Sequence, residues 1–581
     1  MTACIQPLPT DVIHLMAAGE VIDSLAAVVR ELAENAIDAG ATRITVSLWT
    51  DQWRVRLTDN GSGMTLADLE QAALPHSTSK IRDSQDLWKI ASLGFRGEAL
   101  HSLAQLAHLE ICSRSVESDA GWRLTYDRQG QPQYRETVAM AIGTVVTASH
   151  LFDTWLPRRE SLPPPAQQLR AIQLTLQQLA LCHPGITWQV EQNDHPWFAI
   201  WGSASAKQIV PQLVREIQPQ DLQDWQHRIA WVSNSGADAS LYGVIGLPDR
   251  CHRHRPDWVR VAVNGRVVKL PELEQTILAS FRRTLPRERH PVCFLHLRVP
   301  SQQVDWNRHP AKAEIYLHQL DRWQTQVAEA IAGALQLSTT YFSDAAAAPR
   351  VGQLLKAAES GGIYRTPRAV QPSSDPAHPE SSESPATEDT PATVAPLIPL
   401  KAVAQVHQRY ILAEHPSGMW LVEQHIAHER VLYEQLADHW QVVPLEPPIV
   451  LEALSSHQVE QLQRIGLNVE AFGEQLWIVR TAPEALASRD DCTDALLELS
   501  LGGNLDAALV ATACRTAIRN GMPLSLDAMQ QLLDQWQRTR HPHTCPHGRP
   551  IYLSLEESSL SRFFRRHWVI GKSHGIEEKD R

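Results

Sequence analysis

The stretch TPRAVQPSSDPAHPESSESPATEDTPATVAPLIPL, residues Thr366–Leu400, limits the fold more than any other part of this chain. It holds eight prolines and no aromatic residue. Such a segment buries too little apolar surface to offset the entropy of ordering it, and it reads as an extended, acidic, Pro-rich linker. The chain therefore cannot share one continuous core. It divides into a large N-terminal region and a C-terminal region of about 180 residues. At 581 residues there is room for three or four domains, and no internal repeat is visible.

Composition excludes several classes. With 43% hydrophobic and 20% charged residues the chain reads as soluble and globular. It has no run of eighteen or more apolar residues, so no membrane span is expected. The start, MTACIQPLPTDVIHLM, lacks a basic region followed by an apolar stretch, so no secretory signal is expected. The eight cysteines form no disulfide-like framework and suit a reducing cytoplasm. Net charge is −12, yet Arg250–His290 carries ten Lys/Arg against four Asp/Glu. One basic region on an acidic protein can hold a phosphate backbone in a salt-dependent way, or be an ordinary solvated surface.

From Asp11 to Ala39 apolar residues recur at spacings of three and four: Val21, Leu25, Val28, Leu32, Ala36. That pattern predicts an amphipathic helix stopped at Gly40. Glu31 and Asn35 share one face of it, with Asp38 close by; taken alone, such a set is most often a solvated polar face. Alternation in Ile44-Val46-Leu48 and Val55-Leu57 predicts a β-hairpin. Its second strand ends in DNGSGM, Asp59–Met64, where glycines allow backbone to approach a ligand closely. HSTSK, His76–Lys80, and SLGFRGEAL, Ser92–Leu100, follow. A Gly-rich stretch opening a helix near Glu98 offers free N–H groups and a positive dipole end to phosphates. GTVVTASHLF, Gly143–Phe152, adds a strand that begins at a Gly-Thr pair.

These four pieces, in this order, resemble the ATP-binding fold shared by DNA gyrase, the ninety-kilodalton heat-shock chaperone, histidine kinases and MutL. AAGEVI…VVRELAENAIDAGAT, DNGSGM, STSKI…LGFRGEAL, VNGRVV (Val263–Val268) and DWNRHPAK (Asp305–Lys312) resemble the MutL mismatch-repair family in particular, over residues 10 to 335. The resemblance implies that Glu31 is the general base activating water against the γ-phosphate, that Asn35 holds Mg²⁺, and that Asp59 reads the adenine amino group of ATP. It implies a catalytic Lys312 reaching the γ-phosphate from the following domain. Gly63, Thr78, Ser79, Lys80, Gly94, Phe95, Arg96, Gly97 and Thr144 would line the nucleotide. Glu34 and Asp38 are not assigned to it. Arg266, Arg282 and Arg283 are expected to contact DNA. The chain departs from the family at Ser24-Leu25 and at LFDTWLPR, Leu151–Arg158.

In the C-terminal region RYILAEH and GMWLVEQ predict two strands about a Pro-Ser-Gly turn, with a helix starting near Gln424. His425 and Glu429 share a face of that helix. TACRTAIR carries Cys514, and TCPHGRP carries Cys545 and His547. Thiolate and imidazole favour Zn²⁺, and carboxylate admits Mn²⁺. EQHIAHERVLYE, Glu423–Glu434, with the ACR, CPHGRP and FFRR (Phe563–Arg566) pieces, resembles the endonuclease motif of nicking members of the family. The resemblance implies metal ligands Glu423, His425, Glu429, Cys514, Cys545 and His547, with Glu429 catalytic. Glu423 stands where the family has Asp; its extra methylene moves the carboxylate by about an ångström, enough to cost ~100-fold in rate.

Taken together, the resemblance implies an α+β, multidomain chain. A GHKL (Bergerat) ATPase α/β sandwich would span residues 1–205, an S5-like α/β transducer domain with the DNA-binding region 206–338, a disordered Pro-rich linker 339–398, and an α/β C-terminal dimerisation and metal-dependent endonuclease domain 399–581. The expected activity is that of an ATP-driven dimeric clamp that couples mismatch recognition to strand removal and nicks DNA. Its cofactors would be ATP, Mg²⁺, and Zn²⁺ and/or Mn²⁺. Its expected partners are a second copy, DNA of any sequence and the mismatch-recognition protein MutS. The sliding clamp stays open as a further partner, with no membrane and a bacterial cytoplasmic, nucleoid-associated location. Two alternatives remain. One is a matchmaker with a structural zinc site and no nuclease; the other is a chaperone-like ATPase, against which VNGRVV, HPAK and the metal set speak.

Overall fold

The computed structural model describes residues 9–78, 80, 93–94, 97–229, 239–305, 315–337, 398–473, 475–557 and 560. They group into two compact units, Met1–Arg282 with Glu288–Ala334, and Arg283–Arg287 with Leu335–Arg581. Ser79, Phe95, Arg96, Lys312, the FFRR segment and residues 339–397 of the expected linker lie outside the described residues.

The single helix expected over Asp11 to Ala39 is two helices. α1, Thr10–Val21, and α2, Leu25–Asp38, meet at a bend of 77°. The apolar pattern runs through the break because Ile22 is fully buried there. The break is set by Ser24, which takes extended geometry and accepts a hydrogen bond from the Ala27 N–H at 3.2 Å. A short hydroxyl side chain satisfies an orphan donor better at a helix start than mid-helix. Leu25, Val28, Val29, Leu32, Ala33 and Ala36 of α2 are each no more than 2% exposed.

That apolar face packs in the core of an eight-stranded sheet. Its strands are β1 (Arg43–Trp49), β2 (Arg54–Asp59), β3 (His108–Arg114), β4 (Gly121–Tyr126), β5 (Pro132–Val138), β6 (Gly143–Ser149), β7 (Thr187–Gln192) and β8 (His195–Ile200), in the order β5-β4-β3-β6-β2-β1-β7-β8. The β1–β2 hairpin has the expected alternation, with Ile44, Val46, Leu48, Val55 and Leu57 buried. α3 (Ala99–Leu106) follows the Gly-rich stretch, and α4 (Pro165–Cys182) packs on α2. β2 and β6 pair with Asp59 opposite Thr144, which joins two of the sequence signals at one end of these central strands.

A second sheet in the same unit has strands β9 (Leu222–Arg228), β10 (Ser240–Gly246), β11 (Val259–Val263), β12 (Arg266–Val268) and β13 (Cys293–Arg298), in the order β12-β11-β13-β10-β9. The turn from β11 to β12 is Asn264-Gly265, at φ 47° and 87°. Asn-Gly suits a two-residue hairpin turn of this hand. The Asn264 side chain donates to the Val299 carbonyl and accepts from its N–H, both at 2.8 Å, so the turn is held from outside as well.

The other unit has a four-stranded sheet of β14 (Lys401–Val406), β15 (Tyr410–His415), β16 (Gly418–Glu423) and β20 (Tyr552–Glu556), in that order. β15 and β16 are the two expected strands, and α5 (Gln424–Asp438) is the expected helix. A three-stranded sheet orders β17 (Val442–Glu452), β19 (Leu476–Pro483) and β18 (Val469–Gly473). α6 (Leu505–Thr516) and α7 (Leu526–Gln537) pack on α5. Trp420 stacks on Tyr552 at 4.5 Å within a core that also holds Ile411, Val422 and Trp536. Ile398 and Leu400, at the end of the expected linker, are buried in that core at 3% and 4% exposure. No single helix among the described residues is long and apolar enough to cross a membrane.

The Ser24 cap gives a direct test. Ser24→Ala is expected to lower stability by about 1 kcal/mol, while Ser24→Asp keeps it, read as denaturant midpoints of the N-terminal transition.

Candidate functional site

Glu31, Glu34, Asn35 and Asp38 fall at i, i+3, i+4 and i+7 of α2, one polar stripe on a helix otherwise packed into the core. They serve different partners. Glu31 is 14% exposed at its side chain and takes Arg30 Nε and Nη2 at 3.3 Å each on Oε1. Asn35 Oδ1 accepts from Lys80 Nζ at 3.3 Å. Asp38 pairs with the same Nζ at 2.5 Å and accepts the Leu93 and Gly94 N–H groups at 3.0 and 2.9 Å. Asp38 thus anchors the end of the Gly-rich stretch, a part the spacing alone did not reveal.

The glycines are required by close approach. A Cβ on Gly94 would lie 3.1 Å from both Asn35 Oδ1 and Lys80 Nζ. Gly97 sits at φ +64° against the Ser77 backbone. Gly63 sits at φ +69°, where a Cβ would run into the Arg114 carbonyl. Thr78 Oγ1 accepts from the Lys80 N–H at 3.2 Å. At the end of β2 Asp59 Oδ1 accepts from the Gly61 N–H at 2.8 Å. Burial pushes the Asp59 carboxyl up, against the pull of backbone N–H groups of Gly61 and Thr144. Thr144 is buried, with Oγ1 2.9 Å from Ser113 Oγ. Ser113 also donates to the Gly143 carbonyl and accepts from the Met64 N–H, so one hydroxyl ties three segments together here. Sequence reading missed Ser113. Its signal was a small polar residue at the inward position after Leu109 and Ile111 on β3.

The three arginines expected on DNA have different surroundings. Arg282 is exposed. Arg283 falls in the second unit and pairs with Asp506 at 2.8 Å. Arg266 corrects the expectation. It is 8% exposed, and its guanidinium grips both carboxylate oxygens of Glu34, with Nε–Oε1 at 2.8 Å. A side chain closed into a buried ion pair is not presented to a phosphate backbone.

In the second unit Glu429, Cys545 and His547 bring ligand atoms within 4.8 Å of one another. Glu429 is fully buried on α5, and the other two arrive on the loop before β20. His547 Nδ1 lies 2.9 Å from Glu429 Oε1, outside good hydrogen-bond alignment but within ion-pair range. A buried carboxylate, an imidazole and a thiol converging at this range fit a borderline-soft cation such as Zn²⁺. Contact with Cys545 and then Glu429 pushes His547 up to about 9. Burial pushes the Cys545 thiol up, but His547 and Arg549 outweigh it and leave the thiol below its ordinary value. Arg549, unassigned from sequence, donates to Glu429 Oε2 at 2.9 Å and to Cys545 Sγ at 3.5 Å. Cys514 stands beside Glu429; burial, then that charge, raises its thiol.

Two expected ligands are placed otherwise. Glu423 caps α5, accepting from the Ile426 N–H at 2.6 Å, and takes Asn520 and Arg409 on its other oxygen at 2.8 and 3.2 Å. His425 directs Nδ1 to the Ile518 carbonyl at 2.9 Å.

Three family models match this chain. "Histidine kinase-, DNA gyrase B-, and HSP90-like ATPase" covers residues 23–145, "DNA mismatch repair protein, C-terminal domain" covers 222–336, and "MutL C terminal dimerisation domain" covers 403–524. The DNA mismatch repair protein MutL of Nostoc sp. (strain PCC 7120 / SAG 25.82 / UTEX 2576) is 59% identical over 584 residues, covering 99% of this chain and all of the relative. That of Geotalea daltonii is 30% identical, covering 97% of this chain and all of the relative. Among solved structures, the Aquifex aeolicus MutL ATPase domain complexed with ADP aligns with TM-score 0.36 at 20% identity, covering 48% of this chain and 93% of that one.

Gly63→Ala is expected to destabilise by about 1–3 kcal/mol, since φ is left-handed there and the Cβ meets backbone. Gly185→Ala, whose Cβ meets nothing within 4 Å, is the neutral control in the same thermal melts.

Proposed function

This chain belongs to the MutL family of DNA mismatch repair proteins, with a GHKL ATPase domain and a MutL C-terminal dimerisation domain, and we propose that it is an ATP-driven dimeric clamp that nicks DNA. The observation that carries the ATPase half is the α2 stripe. Glu31 and Asn35 stand one turn apart on a rigid helix, Asn35 beside Lys80 and Gly94, with Asp59 at the end of the central strand β2. Glu31 acts as general base, Asn35 as an oxygen ligand for Mg²⁺ beside phosphate, and Asp59 as acceptor for the adenine amino group. Lys312 completes the charge around the γ-phosphate. Closure on ATP traps DNA through phosphate contacts of the basic region, with Arg282 among them, downstream of mismatch recognition by MutS.

The nuclease half rests on Glu429, Cys545 and His547. Cys545 as thiolate and His547 as neutral imidazole would hold the metal ion, with Glu429 as the carboxylate ligand and Cys514 alongside. A bound ion there would supply an activated water and stabilise the leaving oxygen. Two observations favour the matchmaker alternative: Arg549 already bonds both Glu429 and Cys545, and Glu423 is engaged as a helix cap. In that reading the metal is structural.

Glu31→Ala is expected to bind ATP but hydrolyse it ~10²–10⁴-fold more slowly. Turnover near that of the parent, in protein free of contaminating ATPase, rejects the assignment. Glu429→Lys is expected to abolish manganese-dependent nicking of supercoiled DNA while ATP hydrolysis persists. A parent that retains zinc but never nicks, with or without a sliding clamp, makes the matchmaker the correct reading.

A further inference from the structure

Arg266 sits in the second sheet of the first unit, yet its side chain closes on the ATPase helix. It begins β12, directly after the Asn264-Gly265 turn. Its Nε and Nη2 take the two oxygens of Glu34, and Nη2 also donates to the Leu93 carbonyl at 2.8 Å. The pair is closed to solvent, with side-chain exposures of 9% for Arg266 and 1% for Glu34. Glu34 lies three residues after Glu31 and immediately before Asn35. Leu93 is the residue before Gly94, and Asp38 holds its N–H at 3.0 Å. Leu93 is therefore gripped on both backbone polar groups, by Asp38 directly and by Glu34 through Arg266. The backbone around the turn is fixed too. His183 Nε2 is 3.1 Å from the Gly265 carbonyl, and the Gly265 N–H donates to His296 Nε2 at 2.9 Å.

We propose that Arg266 is a positioning residue for ATP hydrolysis, which from the second sheet locks the catalytic turn of α2 to the end of the Gly-rich stretch. The inference rests on the ATPase reading. Arg266 touches neither Glu31 nor Asn35; it acts through Glu34. A bidentate guanidinium–carboxylate pair fixes distance and plane together, which a lysine ammonium at the same place does not. Glu34 lies within one turn of the base and the Mg²⁺ ligand, so a shift of its anchor moves both. A shift of about 1 Å at reacting groups is enough for a loss of ~10²-fold. Adenine recognition is assigned to Asp59 at the end of β2, whose carboxylate accepts from the Gly61 N–H. The geometry also makes turnover answer to the second sheet, because the arginine cannot leave Glu34 without releasing Leu93.

The test uses the full-length protein with Glu34→Gln, Arg266→Lys and the double variant, each checked for native circular dichroism and thermal melting. Steady-state ATP turnover and ADP affinity are measured side by side. Each single variant is expected to lose ~10–100-fold in kcat, with ADP affinity within about twofold of the parent. The double variant is expected to be no slower than the worse single one, since the two act as one unit. Singles with parental kcat, a double variant whose loss is the product of the two, or an ADP affinity that falls in step with kcat would each overturn the proposal, the last by making the pair merely structural. If the parent itself turns over no ATP, the ATPase reading fails first, and that result is distinct from unchanged variants of an active parent.

Discussion

A buried carboxylate must be paired, and α2 carries two that are nearly or largely out of water. Glu34 is 1% exposed, and the Asp38 side chain is 11% exposed. An isolated ionised group in such a place costs several kcal/mol, and a broken pair about as much. Each carboxylate therefore reaches for donors far along the chain: Asp38 for Lys80 and the Leu93 and Gly94 amides, Glu34 for Arg266. The apolar face of the helix decides that α2 packs at all. The polar face decides which distant segments stand beside it, and in what register. The surroundings of Asn35 follow from that second condition, because Lys80 and Gly94 are brought to it by the same contacts.

Much of this was legible in advance wherever a short-range period carried it. The β1–β2 hairpin follows the alternation of Ile44-Val46-Leu48 and Val55-Leu57, and the strand from Gly143 and the β15–β16 pair lie where their Gly-Thr start and Pro-Ser-Gly turn put them. The break between α1 and α2 was not legible, because Ile22 continues the apolar spacing through it. The information lay in Ser24, one residue whose capping geometry competes with the apolar pattern on either side. Arg266 was misplaced for a different reason. Ten cations in one window describe a charge density, and density is silent about which cation is buried. The partner that settles it stands 232 positions earlier.

The basic stretch illustrates the general point. Arg253 is paired with Asp257 at 3.0 Å, Arg266 with Glu34, and Arg283 with Asp506 at 2.8 Å. Each pairing lowers the charge available to a phosphate. Net field at a surface is what survives such internal neutralisation, so a count of arginines overstates it.

Both candidate sites start from two residues one turn apart on a helix, Glu31 with Asn35 on α2 and His425 with Glu429 on α5. Spacing put each pair on one face, but a shared face does not make a shared task. On α2 the face meets Lys80 and a glycine stretch that leaves room beside Asn35. On α5 the His425 ring is turned to the Ile518 carbonyl, while Glu429 meets Cys545 and His547. What separates the two members is the loop that arrives: a backbone carbonyl opposite one, a thiol and an imidazole opposite the other. Contact with Cys545 and Glu429 pushes His547 up to about 9, and Arg549 brings a second cationic group to the same carboxylate.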